Sequence, residues 1–504
     1  MAKYEIKDGV CIIPEGTTKV FVDYECREAI REVVIPSSVT EIEKEAFYEC
    51  RNLEKVVIPD SVKKIGQQAF TRCGKLKSVC IPDSVTEIGY AAFDGCTELV
   101  EAILPAGLTT IVGNLFCGCK KLTAVNIPET VKEIESHAFF ACGFSKISLP
   151  NGLKIIGKDS FGLCTQLSEI VLPPSVLKID ELAFEQTGLK QLTIPASVQA
   201  IGKAIVSGCH ELTSLVVDDG NKYYDSRDNC NAVIDKDDWK LIAGCGVSTI
   251  PNSVVTIGEK AFFTSDLTSI VIPDSVKFIE ENAFLFSDKL THVDIPGTVR
   301  IISRGSFDRC KSLSSVTIAE GVTEIEKYAF SGCPIISIQL PSTIIRLSGF
   351  DGCSLQTLTI PEGVVTIGDS AFKGCKNLTS VVIPNSVRRI ANSAFSGCES
   401  LTSVIIPEGV KFVKYEAFEN CSSLKEITLP ATIEGLDSIL NGCSNLKAVY
   451  CHVADPTQIN IERGVEIGGH QATLYVPAGK GVVAAYKKKA VWKKFAAIKP
   501  MEEK

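Results

Sequence analysis

An α/β repeat solenoid is the fold class this sequence predicts: a curved, right-handed coil with a parallel β-sheet on one face and short return segments or 3-10 turns on the other. Three observations predict it. A sixteen-residue phrase recurs, as "IPDSVKKIGQQAFTRC" at 58–73, "IPDSVTEIGYAAFDGC" at 81–96 and "IPNSVRRIANSAFSGC" at 383–398. An Ile/Leu-Pro pair beats through the chain from Pro36 to Pro430 at a step of 22 or 23 residues, with Asp218 and Ala319 standing once each in the proline's place, broken by a step of 33 from Asp218 to Pro251 and one of 20 ending at Pro361. Fourteen of the 21 cysteines occupy one slot of the repeat, three residues after the phenylalanine position.

Each part of the unit L-x-x-V-x-I-P-x-x-V-x-x-I-x-x-x-A-F-x-x-C has a physical task. L-x-x-V-x-I ends in apolar alternation rich in β-branched residues, which reads as a short strand. Val56 and Ile58 then face the core and Val57 faces outward. Proline stops the strand, because it has no N–H for a parallel ladder. The second apolar pair, such as Val85 and Ile88, buries a return segment, and Ala92 with Phe93 anchors a helical or 3-10 turn. One unit cannot bury its own apolar residues, whereas stacked units share a continuous core.

This unit resembles that of the BspA-like, treponemal-type leucine-rich repeat family, over about residues 30–450. "NKYYDSRDNCNAVIDKDDWKLIAGCGVSTIPNSV" (221–254) and "ATLYVPAGKGVVAAYKKKAVWKKF" (472–495) also resemble segments of that family. The resemblance implies a bacterial, surface-exposed protein that binds other proteins or matrix. The chain divides into an N-terminal cap at 1–29, a first array at 30–217, a β-hairpin insertion at 218–250, a second array at 251–451 and a C-terminal cap at 452–504. Within the cap, 486–499 reads as a basic amphipathic helix whose Tyr486, Trp492 and Phe495 cover the last open repeat.

The cysteine column reads as structure. Thr187, Ser265 and Ser287 replace cysteine in three repeats, which keeps a small hydrogen-bonding group and discards a soft metal ligand. Zinc sites announce themselves by paired ligands, and the five histidines are scattered. No metal or cofactor is expected. Cys230 and Cys245 flank the hairpin of the insertion, as a disulfide pair or as two free thiols.

The chain carries no P-loop, no dinucleotide-binding glycine motif, no H-E-x-x-H and no G-x-S-x-G. A non-enzymatic role follows, with a hydrolase built on the insertion as a remote alternative. The formal net charge of −8 argues against a nucleic-acid surface. No run of apolar residues is long enough for a spanning helix. The first residues, "MAKYEIKDGVCIIPEGTT", show no apolar region of a secretion signal. Location therefore divides between the cell surface, which the resemblance implies, and the cytoplasm.

Recognition of a protein or glycan by a monomer is the function these features point to, with an intracellular scaffold as the alternative. Two surfaces are candidates. Val34, Val57, Cys80 and Ile103 form an apolar stripe across adjacent strands, flanked by Lys55, Lys77, Ser78 and Glu101. The insertion presents Tyr223, Tyr224, Arg227 and Trp239.

Overall fold

The computed structural model describes residues 4–461 and 470–502, which form two compact units, Met1–Ser248 and Thr249–Lys504. Both are leucine-rich-repeat solenoids with parallel sheets. The strand alternation is as expected: Val56 and Ile58 are buried, and Val57 between them is 60% exposed.

In the first unit the outward sheet runs through Val10–Ile12, Glu32–Val34 and Lys55–Val57, then Ser78–Cys80, Glu101–Ile103 and Ala124–Asn126. Within each run the strands pair in parallel, with residues one repeat apart in register. The return segments are present as expected, and they form a second parallel sheet of two-residue strands, beginning Lys19–Val20, Glu41–Ile42, Lys64–Ile65 and Glu87–Ile88. The physical reason is that a constant repeat length brings each return segment beside its copy, so its N–H and C=O groups pair between repeats.

The A-F segment, expected as a helical or 3-10 turn, is neither. The N–H groups of Ala46, Tyr48 and Cys50 bond to carbonyls three residues back, at 3.1–3.2 Å. Those of Glu45, Phe47 and Glu49 bond instead to Gln67, Ala69 and Thr71 of the next repeat, at 2.7–2.9 Å. Alternation requires left-handed backbone at Glu45 and Glu49, with φ of 57° and 58°. Such a conformation costs about 1 kcal/mol or more for a residue with a Cβ. The inter-repeat bonds offset it, and the same pair of left-handed positions recurs along both units.

Two side-chain columns fill the core behind this segment. Phe47, Phe70, Phe93, Phe116, Phe139, Phe161 and Phe184 stack in the first unit with ring centroids 5.0–5.9 Å apart. Phe262 to Phe418 do the same in the second, at 4.8–5.8 Å. Beside them runs the cysteine column. From Cys73 onward each thiol of the column donates to the phenylalanine carbonyl of the preceding repeat, as Cys73 does to Phe47 O and Cys119 to Phe93 O, both at 3.2 Å. Ser287 makes the same bond to Phe262 O at 2.8 Å, which explains the substitution. Thr187 turns instead to Phe184 O within its own repeat and contacts Cys209 Sγ.

The ends are closed by different means. At the start, Glu5–Lys7 pairs antiparallel with Val10–Ile12, so part of the expected cap is sheet. A 3-10 helix, Tyr24–Ala29, carries Arg27 into the first open turn. Its buried guanidinium donates to Val22 O, to Glu45 O at 2.7 Å and to Tyr48 O at 2.6 Å, and lies 3.7 Å from the Tyr24 ring centroid. Arg27 stands where a preceding repeat would otherwise meet the coil.

At the other end, the expected helix over 486–499 is three elements: a helix at Val482–Lys488, a 3-10 turn at Trp492–Lys494 and a strand at Ala497–Pro500. That strand pairs with Thr473–Val476, which pairs with Ala448–Cys451, so the sheet continues into the tail. The chain must break its helix to supply this strand. Tyr486 and Trp492 are fully buried, Phe495 nearly so, and Tyr486 donates to Val453 O at 2.7 Å. These aromatic groups cover the core.

Three predictions follow from the columns. Phe116→Ala removes a ring stacked on both sides and should cost about 3–5 kcal/mol in denaturant unfolding. Cys119→Ser should be milder than Cys119→Ala by about 1 kcal/mol, because only serine can still bond Phe93 O. Burial pushes the Cys50, Cys164, Cys375 and Cys443 thiols up to about 12. An unfolded thiol titrates near 9, so above that pH the unfolded chain releases protons that the folded chain retains, and stability falls with rising pH. Unfolding midpoints should therefore drop steeply between about pH 9 and 12, and each column Cys→Ser substitution should make the drop shallower.

Candidate functional site

The outward strand positions are where the repeat leaves side chains uncovered. Ile12, Val34 and Val57 stand in register on three adjacent strands, at 50%, 47% and 60% exposure. Cys80 and Ile103 continue on the next two, both exposed and in register with Asn126. Asn126 ends the stripe by turning its side chain onto the sheet, where Oδ1 accepts from Leu104 N at 2.7 Å. The four sequence-predicted apolar residues thus share one face, and Ile12 extends it. Ile12 was missed because "VCIIPEGTT" lacks most of the repeat phrase. Its signal was the Ile-Ile-Pro that also ends the regular strands.

The rim is polar. Lys55 Nζ lies 2.7 Å from Glu32 Oε1 on the neighbouring strand. Lys77, Ser78 and Glu101 are exposed beside the stripe. Parallel register fixes these side chains along the two runs, 10–57 and 78–126.

The insertion is built on Asn221, whose buried side chain donates to Pro195 O at 2.9 Å and Val198 O at 3.0 Å and accepts from Tyr223 N and Tyr224 N. This amide ties the insertion to the last repeats before it. Ala232–Asp235 and Lys240–Gly244 form the expected antiparallel hairpin, and Tyr224–Asp225 adds a third strand. The four residues singled out there separate into two kinds. Tyr224 is buried, at 6% exposure, and belongs to the core. Tyr223 and Trp239 are exposed, and Arg227 lies over the Trp239 ring at 4.2 Å from its centroid while its Nε and Nη2 grip Asp225.

Cys230 and Cys245 are free thiols, as are the other nineteen. Cys230 Sγ points to Ala232 O at 3.7 Å and Cys245 Sγ to Asn231 O at 3.6 Å. Burial pushes the Cys230 thiol up to about 11, away from the thiolate a nucleophile needs. The stretch 218–250 contains no histidine to serve as a base.

Comparison with known proteins matches this architecture. The model of the "BspA type leucine rich repeat region (6 copies)" matches residues 19–144, 132–228, 245–349 and 343–460. Among solved structures, a leucine rich cell surface protein from Faecalibacterium prausnitzii is 23% identical, over 90% of this chain and 94% of its own, with a TM-score of 0.35. A leucine-rich repeat protein from Bacteroides ovatus is 24% identical, over 81% of this chain and 94% of its own, at 0.39. The leucine-rich repeat protein of T. pallidum is 29% identical but covers 42% of this chain and 87% of its own, at 0.31. No curated protein sequence matches significantly. No helix among the described residues is long and apolar enough to cross a membrane. With the repeat phrase, the parallel sheets and the family model agreeing over most of its length, the chain belongs to the BspA-type leucine-rich repeat family.

Proposed function

We propose that this protein is a monomeric receptor of the bacterial cell surface whose outward sheet in the first unit adheres, by non-enzymatic recognition, to a protein or glycan partner. The observation that carries this reading is the apolar stripe Ile12–Val34–Val57–Cys80–Ile103 with its charged and hydroxyl rim. Four solvent-facing aliphatic side chains and one thiol on five neighbouring strands are unfavourable in water and favourable under a partner. An interface of this kind concentrates its energy in a few central residues. The exposed Trp239 and Tyr223 of the insertion offer a second contact of the sort that glycan rings stack on. The cell-surface description of the Faecalibacterium prausnitzii protein is in keeping with this location.

A scaffold inside the cell is the second reading, and one observation favours it: all 21 cysteines are free, including the exposed Cys80. Reducing compartments maintain such thiols.

Binding to immobilised matrix proteins and to a glycan array provides the test. Val57→Asp, placed on an exposed site, should weaken capture at least about tenfold, a loss of roughly 1.4 kcal/mol, while leaving the unfolding midpoint unchanged. Val271→Asp is the control, since Val271 is an 80% exposed valine of the second unit. Equal binding by both variants would remove the stripe from the interface.

A further inference from the structure

A chain of hydrogen bonds on the outward sheet of the second unit has no part in the proposed recognition surface. His292–Ile295 and Ser315–Ile318 pair in parallel, with His292 opposite Ser315 and Asp294 opposite Thr317. His292 and Asp294 are two apart on one strand, so both face outward. His292 Nε2 lies 3.1 Å from Asp294 Oδ2, and His292 Nδ1 lies 3.1 Å from Ser315 Oγ. With the proton on Nε2, the imidazole donates to the carboxylate and leaves the Nδ1 lone pair facing the serine hydroxyl. These are the relations of nucleophile, base and orienting group. Thr317 is the first cause holding the Asp294 carboxyl below its ordinary range, with His292 the second, so the carboxylate stays ionised.

The geometry points to Ser315 as a nucleophile toward activated acyl and phosphonyl groups, with His292 as its general base and Asp294 positioning the ring. In the acyl case Ser315 Oγ bonds to the carbonyl carbon while its proton passes to His292 Nδ1. The tetrahedral adduct then expels the alcohol or phenol oxygen, which takes that proton. Water repeats the sequence on the acyl-serine, yielding the carboxylic acid and the free hydroxyl.

The surroundings limit the substrate. His292–Ile295 is the central strand of a three-stranded parallel sheet, with Ser269–Val271 on one side and Ser315–Ile318 on the other, so its main-chain N–H groups serve the ladder rather than an oxyanion. The sheet face is open to water, with Asp294 side chain 68% and His292 side chain 43% exposed. Reactivity is therefore confined to groups with a good leaving atom. Val271, in register with Asp294 and 80% exposed, supplies an apolar contact for a short acyl or alkyl chain.

The test is labelling of the full chain with an alkyl fluorophosphonate, in which an Oγ–P bond forms and the P–F bond breaks, read by peptide mass spectrometry. Ser315 should carry the adduct, and Ser315→Ala should abolish it. His292→Ala should slow labelling by about 100-fold, the lower end of the range for general-base catalysis. Asp294→Asn should slow labelling of Ser315 by less than His292→Ala does, because the ring then keeps its base nitrogen but loses the carboxylate that orients it. A purely structural role would leave the labelling rate unchanged in both variants. All three side chains lie on the outward face, so the variants retain the core, and an unchanged unfolding midpoint verifies this. No adduct at Ser315, or labelling at an equal rate in His292→Ala, would overturn the proposal.

Discussion

Buried backbone groups in each solenoid find their hydrogen-bond partners one repeat away, and everything else in the structure answers to that constraint. Three lines of main-chain bonds run along each unit: the outward sheet, the return sheet and the ladder of the A-F segment. A repeat can lose one residue in the turn after cysteine, which is why steps of 22 and 23 coexist. The step of 20 is accommodated differently. Leu347 and Cys353 are six residues apart where Ile325 and Cys333 are eight, and Gly349 closes the gap at φ +90°. A Cβ there would sit 2.4 Å from Glu326 O, so only glycine fits. Phe330 N still reaches Gly349 O at 2.7 Å, and Phe350 N reaches Ala371 O at 2.8 Å.

The cysteines serve the same constraint. A phenylalanine carbonyl such as Phe93 O receives its own Cys96 N–H and also the thiol of Cys119. A thiol does this at low cost, being a small hydrophobe with a weak donor. Burial keeps it protonated and unreactive, which accounts for a long run of neighbouring thiols without disulfides. Arg27 and Tyr486 do comparable work at the two ends, satisfying carbonyls that no further repeat can reach.

Function is left to the side chains that the ladders do not use. Because the repeat reserves the same outward position on every strand, composition along that column sets what each region can do. Ile12, Val34, Val57, Cys80 and Ile103 make an exposed apolar stripe in the first unit. In the second unit His292, Asp294, Ser315 and Thr317 make a polar cluster at equivalent positions.

The sequence by itself determined the repeat, the strand alternation, the cysteine and phenylalanine columns, the hairpin at 232–244 and the four-residue stripe. All of these depend on spacing along one chain, and spacing is what periodicity reports. Tertiary structure decided the return sheet, the left-handed backbone at Glu45 and Glu49, the burial of Tyr224 and Arg27, and the broken tail helix. It also decided that Ser315 meets His292, since H-x-D and a serine 23 residues later carry no local signal. Those features arise only when one repeat is laid against the next. Their stabilising bonds join residues from different turns of the coil, and local propensity holds no information about a partner one turn away.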